Sequence, residues 1–446
     1  MNRRDLLMVA GAAGALPFIP AAGAWTAPAA APALSPLAEA AREAWIYTLP
    51  LIESANARAS VVASGTAPGT LFRLRQPTTP ATQRVTTPNN DTLNARGWID
   101  LSQGPVRITL PPTGERYVSV AMMDMYSNNF VVLGSRTTGP DGGTFTIVGP
   151  NEATRDPRAI RSPTLWMWVL IRLLTSGRND LPAARTMQDR FLLQAPAWPG
   201  TLPAYAKRTD EWPAYFASAA ALLRENPPPA TDAAVLRRIR PLELEGAFDT
   251  RRFSAAQARD IALGVAEAKR QLLAPRDQGP VVAGWAYPRA KLGNFAQDYA
   301  YRAQTALNGF AALPVDEAMY MFATRPDGSL RFDSAERWRL RLPGDRQPPV
   351  DAFWSLTMYE ATDDGQFFLF DNPIQRYSIG DRTPGIQRDA DGGLEIVIQR
   401  TPPSGAARAN WLPTPPSKPF GLVFRTYRPR EPLLSGVYRL PPLERL

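Results

Sequence analysis

Hydrophobic and polar residues alternate most clearly between Val350 and Tyr359. Phe353, Ser355, Thr357 and Tyr359 fall on one side of an extended chain, and Trp354, Leu356 and Met358 on the other. That period of two predicts a strand with two different faces. A turn at Asp363-Asp364-Gly365 and an aromatic strand from Phe367 to Phe370 follow, and the segment closes in Tyr377-Ser378-Ile379-Gly380-Asp381-Arg382-Thr383. Residues 117–139 carry the same order: the strand Tyr117-Val118-Ser119-Val120, then Met123-Asp124-Met125-Tyr126, a polar turn, and Gly134-Ser135-Arg136-Thr137-Thr138-Gly139. Each G-x-R-T-x-G leads into an Asp-Gly-Gly hairpin (141–143 and 391–393) and another strand. Each unit is preceded by a basic β-rich stretch, Val106–Leu110 and Trp338–Leu342. Such an ordered recurrence predicts two related β domains.

Between and before them the pattern is helical. Ser35-Pro36 reads as an N-cap with proline at the first helical position. The helix it opens is predicted to run from Leu37 to Thr48 and stop at Pro50, with a second short helix and a loop in residues 51–80. Ser254-Ala255-Ala256-Gln257 is a capping box for a helix to about Leu273, and Asn294–Phe310 is amphipathic. Leu165–Leu174 is too apolar to face water on a helix and should be buried between domains. The expected division is a signal at 1–24, a spacer with helices at 25–80, a first β domain at 81–162, a helical region at 163–313 and a second β domain at 314–446. The fold class is thus mixed β with α: two related antiparallel β-sandwich-like domains with intervening and flanking helices.

A chain of 446 residues with 44% apolar and 20% charged positions is long enough for two or three hydrophobic cores. It contains neither histidine nor cysteine. Serine–histidine–carboxylate triads, thiol nucleophiles, iron–sulfur clusters and His- or Cys-ligated metals are excluded. An oxygen-ligated Ca²⁺ or Mg²⁺ remains compatible, although no Asp-x-Asp-x-Asp-Gly loop supports it, and no other cofactor is expected. The net charge of +9 comes from scattered arginines without basic runs, which gives no nucleic-acid footprint. Arg3-Arg4, an apolar run from Met8 to Ile19 and Ala22-Gly23-Ala24 form a twin-arginine export signal. A periplasmic or secreted protein without a permanent membrane span is expected, with the twin-arginine machinery as a partner and homo-oligomerisation left open.

Several motifs are long enough to resemble a known family. Thr87-Pro88-Asn89-Asn90-Asp91-Thr92-Leu93, the Asp124–Phe130 run and Arg161-Ser162-Pro163-Thr164 are similar to the bacterial domain of unknown function 1254. Pro349–Thr357, Asn372-Pro373, Arg376–Thr383 and Asn410-Trp411-Leu412-Pro413 resemble its usual partner, domain of unknown function 1214. The resemblance implies two β-sandwich-like domains with helices around them. It implies no particular reaction.

Candidate chemistry lies at the strand ends. Asn89, Asn90 and Asp91 are either a turn whose short side chains cap backbone N–H groups or a ligand site. Asp124 interrupts an apolar run, where a lone buried carboxylate is costly, and shares a strand face with Tyr126. Asn128 follows in the loop. Asp381 has Ser135 as its counterpart and so belongs to one copy only, with Arg376 and Tyr377 beside it. Arg136 and Arg382, at matched positions, suggest a role in the fold. Trp354 and Trp411 read as core aromatics. Without histidine, paired carboxylates are the natural acid and base, as in glycoside cleavage. The expectation is a cleft between the β domains in which Asp91, Asp124 and Asp381 act on a small hydroxyl-rich molecule or glycan, contacted by Asn89, Asn90, Tyr126, Asn128, Arg376 and Tyr377. A non-catalytic periplasmic binding or envelope-assembly protein is the alternative.

Overall fold

The structure is a computed structural model that describes residues 34–83, 85–273 and 279–446. The export signal at 1–24 and the spacer up to Ala33 lie outside the described residues. Ser35 caps helix α1 (Pro36–Ala63) by accepting the Ala38 N–H, with proline in the first turn. The predicted stop at Pro50 is not observed, and α1 runs through it as one 28-residue helix. An internal proline costs roughly 3 kcal/mol. Here Leu49, Leu51 and Ile52 beside it are fully buried, and each such side chain contributes about 1.5–3 kcal/mol, so packing outweighs the lost hydrogen bond.

The first β domain contains β1 (Phe72–Arg73), β2 (Thr92–Asp100), β3 (Val106–Leu110), β4 (Val118–Asp124), β5 (Asn129–Gly134), β6 (Gly143–Val148), β7 (Ile160–Arg161), β8 (Trp166–Leu174) and β9 (Leu192–Gln194). They form two sheets, β1-β2-β8-β4-β5 and β7-β6-β3-β9, with Ile99, Ile108, Val120, Ile147 and Val169 among the core between them. The apolar stretch expected to open the helical region is therefore the central strand β8. It alternates faces, sending Val169, Ile171 and Leu173 into the sandwich and Trp166 and Trp168 towards the helices. Its continuous apolarity reflects burial on both faces.

Helices α2 (Leu181–Asp189), α3 (Trp212–Glu225), α4 (Ala233–Ile239), α5 (Ala255–Leu273) and α6 (Tyr299–Asn308) follow. The capping box at α5 forms in both directions, Gln257 N–H to Ser254 Oγ and Ser254 N–H to Gln257 Oε1. Helix α6 starts later than its apolar pattern, where Asp298 caps it. Among the described residues no helix is long and apolar enough to cross a membrane.

The second β domain adds β10 (Val281–Val282), β11 (Trp285–Ala286), β12 (Ala318–Ala323), β13 (Trp338–Leu342), β14 (Val350–Ala361), β15 (Phe367–Phe368), β16 (Ser378–Gly380), β17 (Leu394–Gln399), β18 (Trp411–Pro413), β19 (Phe420–Pro429) and β20 (Glu444–Arg445). Its large sheet runs β10-β11-β12-β19-β14-β15, with β16 also on β14, and its small sheet β18-β17-β13-β20. Strands β10 and β11 begin this domain some thirty residues before the expected boundary at 314. Trp354 lies in the core between these sheets, and Trp411 is likewise buried.

The duplication extends to register. Across the first large sheet one row of paired residues reads Asn94, Arg172, Ser119, Gly134, and across the second Tyr320, Arg425, Ser355, Gly380. The small sheets agree as well: β3 pairs antiparallel with β6 as β13 does with β17, and β6–β7 and β17–β18 are the parallel pairs. Both G-x-R-T-x-G segments open on glycine because a strand carbonyl crowds that point. A Cβ on Gly134 would lie 2.3 Å from Val118 O, and one on Gly380 2.2 Å from Trp354 O.

Candidate functional site between the two β domains

The outer faces of the two large sheets meet. Phe353 stacks on Tyr427 with ring centres 4.2 Å apart, and Tyr117 meets both rings edge-on. Ala121, Val132, Leu174, Leu313 and Ala318 complete this apolar contact. The residue just before the first long strand of each large sheet is held alike: Thr175 donates its N–H to Asp91 O, and Arg428 to Glu317 O. Asp91 and Glu317 are thus structural counterparts, each aimed from its own domain at the other.

Asp91 is placed by a loop that the second domain braces. Tyr359 donates its hydroxyl to Pro88 O, and Arg425 donates to Thr87 O and Thr357 Oγ1. Asn89 accepts the Asp91 N–H and donates to Tyr427 Oη at 2.8 Å and Thr92 Oγ1 at 3.1 Å. Asn90 donates to Thr78 O. The Asp91 carboxylate receives Ser355 Oγ at 2.8 Å and Ser378 Oγ at 3.5 Å. Burial raises its pKa, opposed by the Arg425 charge and the two hydroxyls. Asp381 accepts the Trp354 N–H at 3.2 Å, as Ser135 Oγ accepts that of Val118 in the other copy. Burial pushes the Asp381 carboxyl up to about 6. The Trp354 N–H and Arg382 work against that rise, and the nearby Asp91 charge adds to it.

The structure thus gathers Asn89, Asn90, Asp91 and Asp381, and it separates the rest. Asp124 lies at the other end of the first large sheet. Asp91 precedes the strand end where Leu93 faces Leu173, whereas Asp124 pairs with Met167 opposite Ile99. Eight residues of strand place them roughly 26 Å apart along the strand direction. Asp124 is a loop fastener, accepting the Asn128 N–H at 2.9 Å, and burial pushes its carboxyl up to about 6. Asn128 also accepts the Phe295 N–H. Tyr126 is 1% exposed and donates to Asn226 O, so it belongs to the core rather than a cleft wall. Arg376 ties Ala409 O and Trp411 O together. Tyr377 packs beside Tyr359, Leu369 and Val423.

Ser355, Ser378 and Arg425 were not singled out from the sequence. Arg425 nevertheless interrupts the apolar strand Phe420–Phe424 just as Asp124 interrupts its own, which was a legible signal. A cavity of about 190 Å³ is lined by Glu115, Arg116, Leu174, Ser176, Asp180 and, from the second domain, Arg382, the chain neighbour of Asp381; Asp91 and Asp381 themselves do not line it. Arg116 grips Asp180 through both nitrogens at 2.6 and 2.5 Å, which holds that carboxyl below its usual pKa. A cavity of about 210 Å³ among α3 and α4 is walled by Leu223, Leu236, Ile239 and Leu244, with Arg224, Arg240 and Glu245. None of the residues singled out from the sequence lines it. Among the described residues no group of three or more carboxylates is placed to hold a metal ion.

Residues 68–195 match the model of a protein family of unknown function (DUF1254), and residues 317–431 that of a second such family (DUF1214). The fold is similar to that of the VPA0106 protein from Vibrio parahaemolyticus, with a TM-score of 0.71 at 21% identity over 92% of this chain and 100% of that one. An uncharacterised protein from Burkholderia cenocepacia matches at a TM-score of 0.45 and 13% identity, over 89% of this chain and 92% of its own. No curated protein matches the chain. With both family models matched in order on duplicated sandwiches, the chain belongs to the two-domain family that joins DUF1254 to DUF1214.

Proposed function

We propose that this is an exported protein that binds a small, polar, hydroxyl-rich molecule between its two β domains and hydrolyses it with the carboxylates Asp91 and Asp381. The observation that carries this reading is the pairing of two carboxyls, one from each domain, both shifted upward by burial. Their surroundings differ in the way acid–base pairs require. Ser355, Ser378 and Arg425 favour the ionised form of Asp91, which suits a general base. Asp381, half protonated near pH 6, suits the acid. Hydroxyl, amide and guanidinium groups beside them are the partners a polyol needs.

The cavity's 190 Å³ falls below the roughly 300–1,000 Å³ of drug-sized sites. A monosaccharide, or the terminal unit of a glycan, is the size of ligand it favours. Binding without turnover is the alternative, favoured by the hydrogen bonds that already engage Asp91. Ligand-observed NMR against a panel of monosaccharides and short oligosaccharides, followed by product analysis, tests the reading. Asp91→Asn and Asp381→Asn should each abolish turnover, and Asp124→Asn should leave it intact. Binding without product formation selects the alternative, and full activity in both cleft variants refutes the site.

A further inference from the structure

The internal duplication supplies a comparison that a single domain could not. Arg136 and Arg382 occupy the third position of the two G-x-R-T-x-G segments, which begin at the structurally matched Gly134 and Gly380. In the first copy, Arg136 crosses to the second domain and pairs with Glu317, Nε to Oε2 at 2.6 Å, and with Asp316, Nη1 to Oδ2 at 2.9 Å. Tyr117 donates to the other Glu317 oxygen at 2.7 Å. That half of the interface is sealed, and Glu317 is 1% exposed.

In the second copy the partners have changed. The counterparts of Asp316 and Glu317, one residue and none before the matched backbone bond, are Asn90 and Asp91. Asn90 carries no charge. Asp91 is one methylene shorter than glutamate and is held by Ser355 and Ser378. The counterpart of Tyr117 is Phe353, paired with Tyr427 as Tyr117 is aligned with Leu174, and phenylalanine has no hydroxyl to offer. Arg382 therefore makes no ion pair among the described residues. Its exposed guanidinium lines the 190 Å³ cavity instead, acting on Asp381 only through space.

We infer that Arg382 takes over, for a ligand, the part that Arg136 plays for Glu317: it pairs with a carboxylate on the bound molecule. The ligand class narrows to hydroxylated carboxylic acids such as sugar acids. This rests on the proposed cleft site and deepens it. An arginine fork matches a carboxylate bidentately, and the walls already contain one such pair in Arg116–Asp180.

Matched probes test it by NMR titration and calorimetry: glucuronate and galacturonate, the neutral sugars glucose and galactose, and glycolate as a small hydroxy acid. Wild-type protein should bind the sugar acids roughly tenfold more tightly than the neutral sugars, with the advantage falling as salt is raised. Arg382→Gln should erase that advantage, bringing the ratio of sugar-acid to neutral-sugar affinity down to about one. Asp91→Glu, which restores the methylene present in Glu317, should pair with Arg382 and block the acids. If acids and neutral sugars bind equally in wild type and Arg382→Gln, the carboxylate inference is wrong while the cleft reading survives. If glycolate binds through Arg382 but no sugar does, the inference stands and the hydroxyl-rich reading falls. If no probe binds wild-type protein, both are overturned.

Discussion

Replacing Asp381 with asparagine separates the cost of this carboxylate from its use. Its Oδ1 accepts the Trp354 N–H, a bond that an asparagine oxygen can keep. Only the ionisable proton is lost. Burial moves the carboxyl from 3.8 up to about 6, so ionising it is harder in the folded chain than in the unfolded one. Below pH 3.8 both states are protonated and the group costs nothing. The cost appears as pH rises from 3.8 to 6 and is complete above 6. Two units correspond to about 3 kcal/mol, and partial solvent access reduces this to about 1–2 kcal/mol. Asp381→Asn should therefore be more stable than wild type at pH 8, with the difference shrinking towards pH 4.5. Thermal melts at pH 4.5, 6 and 8, followed by near-ultraviolet circular dichroism, would measure it. Three cores need not unfold together, so the transition of the second β domain is the one to compare. Equal destabilisation by Asp381→Asn at all three pH values would refute the reasoning, because the carboxylate would then be a net stabiliser.

The two matched arginines should respond differently to the same change. Arg136→Met leaves the buried Glu317 without its cation and should cost about 3–5 kcal/mol, whereas Arg382→Met should change stability by less than about 0.5 kcal/mol, both read from denaturant unfolding. At the N-terminus, replacing Arg3 and Arg4 with lysine should leave unprocessed protein in the cytoplasm. Mature protein at normal levels in the periplasm, seen by fractionation and immunoblot, would remove the export proposal.

Much of the duplication was legible because its signals are local. A strand's alternation, a glycine under a strand carbonyl and an Asp-Gly-Gly hairpin are each written within a few residues, and their order survives divergence. The counterparts Asp91 and Glu317 were not legible, because they are related only through cross-strand register, and the chain offsets differ from strand to strand. Strand β8 reads with the helices in sequence for a similar reason: burial on both faces erases the period of two. Pro50 misled because its penalty is local and the packing that overcomes it is not. Asp91 reads in sequence as the end of a polar turn and Asp124 as a carboxylate interrupting an apolar run, and both are expected in one cleft. Their positions at opposite ends of one sheet depend on strand direction, which composition does not encode.

The asymmetry between the two halves of the interface has a physical logic. A sandwich facing its own copy creates two related places where a carboxylate crosses to the other domain. If both were sealed by an arginine pair, the domains would be fastened but nothing would remain accessible. If neither were, two partly buried charges would weaken the contact from both sides. In this chain one half carries the ion-paired fastening, through Arg136, Asp316, Glu317 and Tyr117, reinforced by the ring contacts of Tyr117, Phe353 and Tyr427, while the other half is joined by neutral hydrogen bonds and by those to Asp91 and from Arg425. The other half can then hold Asp91 and Asp381 in surroundings that raise their pKa values, a local cost typical of places kept for binding or chemistry. The divergence needed is small: glutamate to aspartate, aspartate to asparagine and tyrosine to phenylalanine at the matched positions. Each change withdraws a charge, a methylene or a hydroxyl from Arg382 and the cavity it lines, so the open half follows from the same scaffold that closes its counterpart.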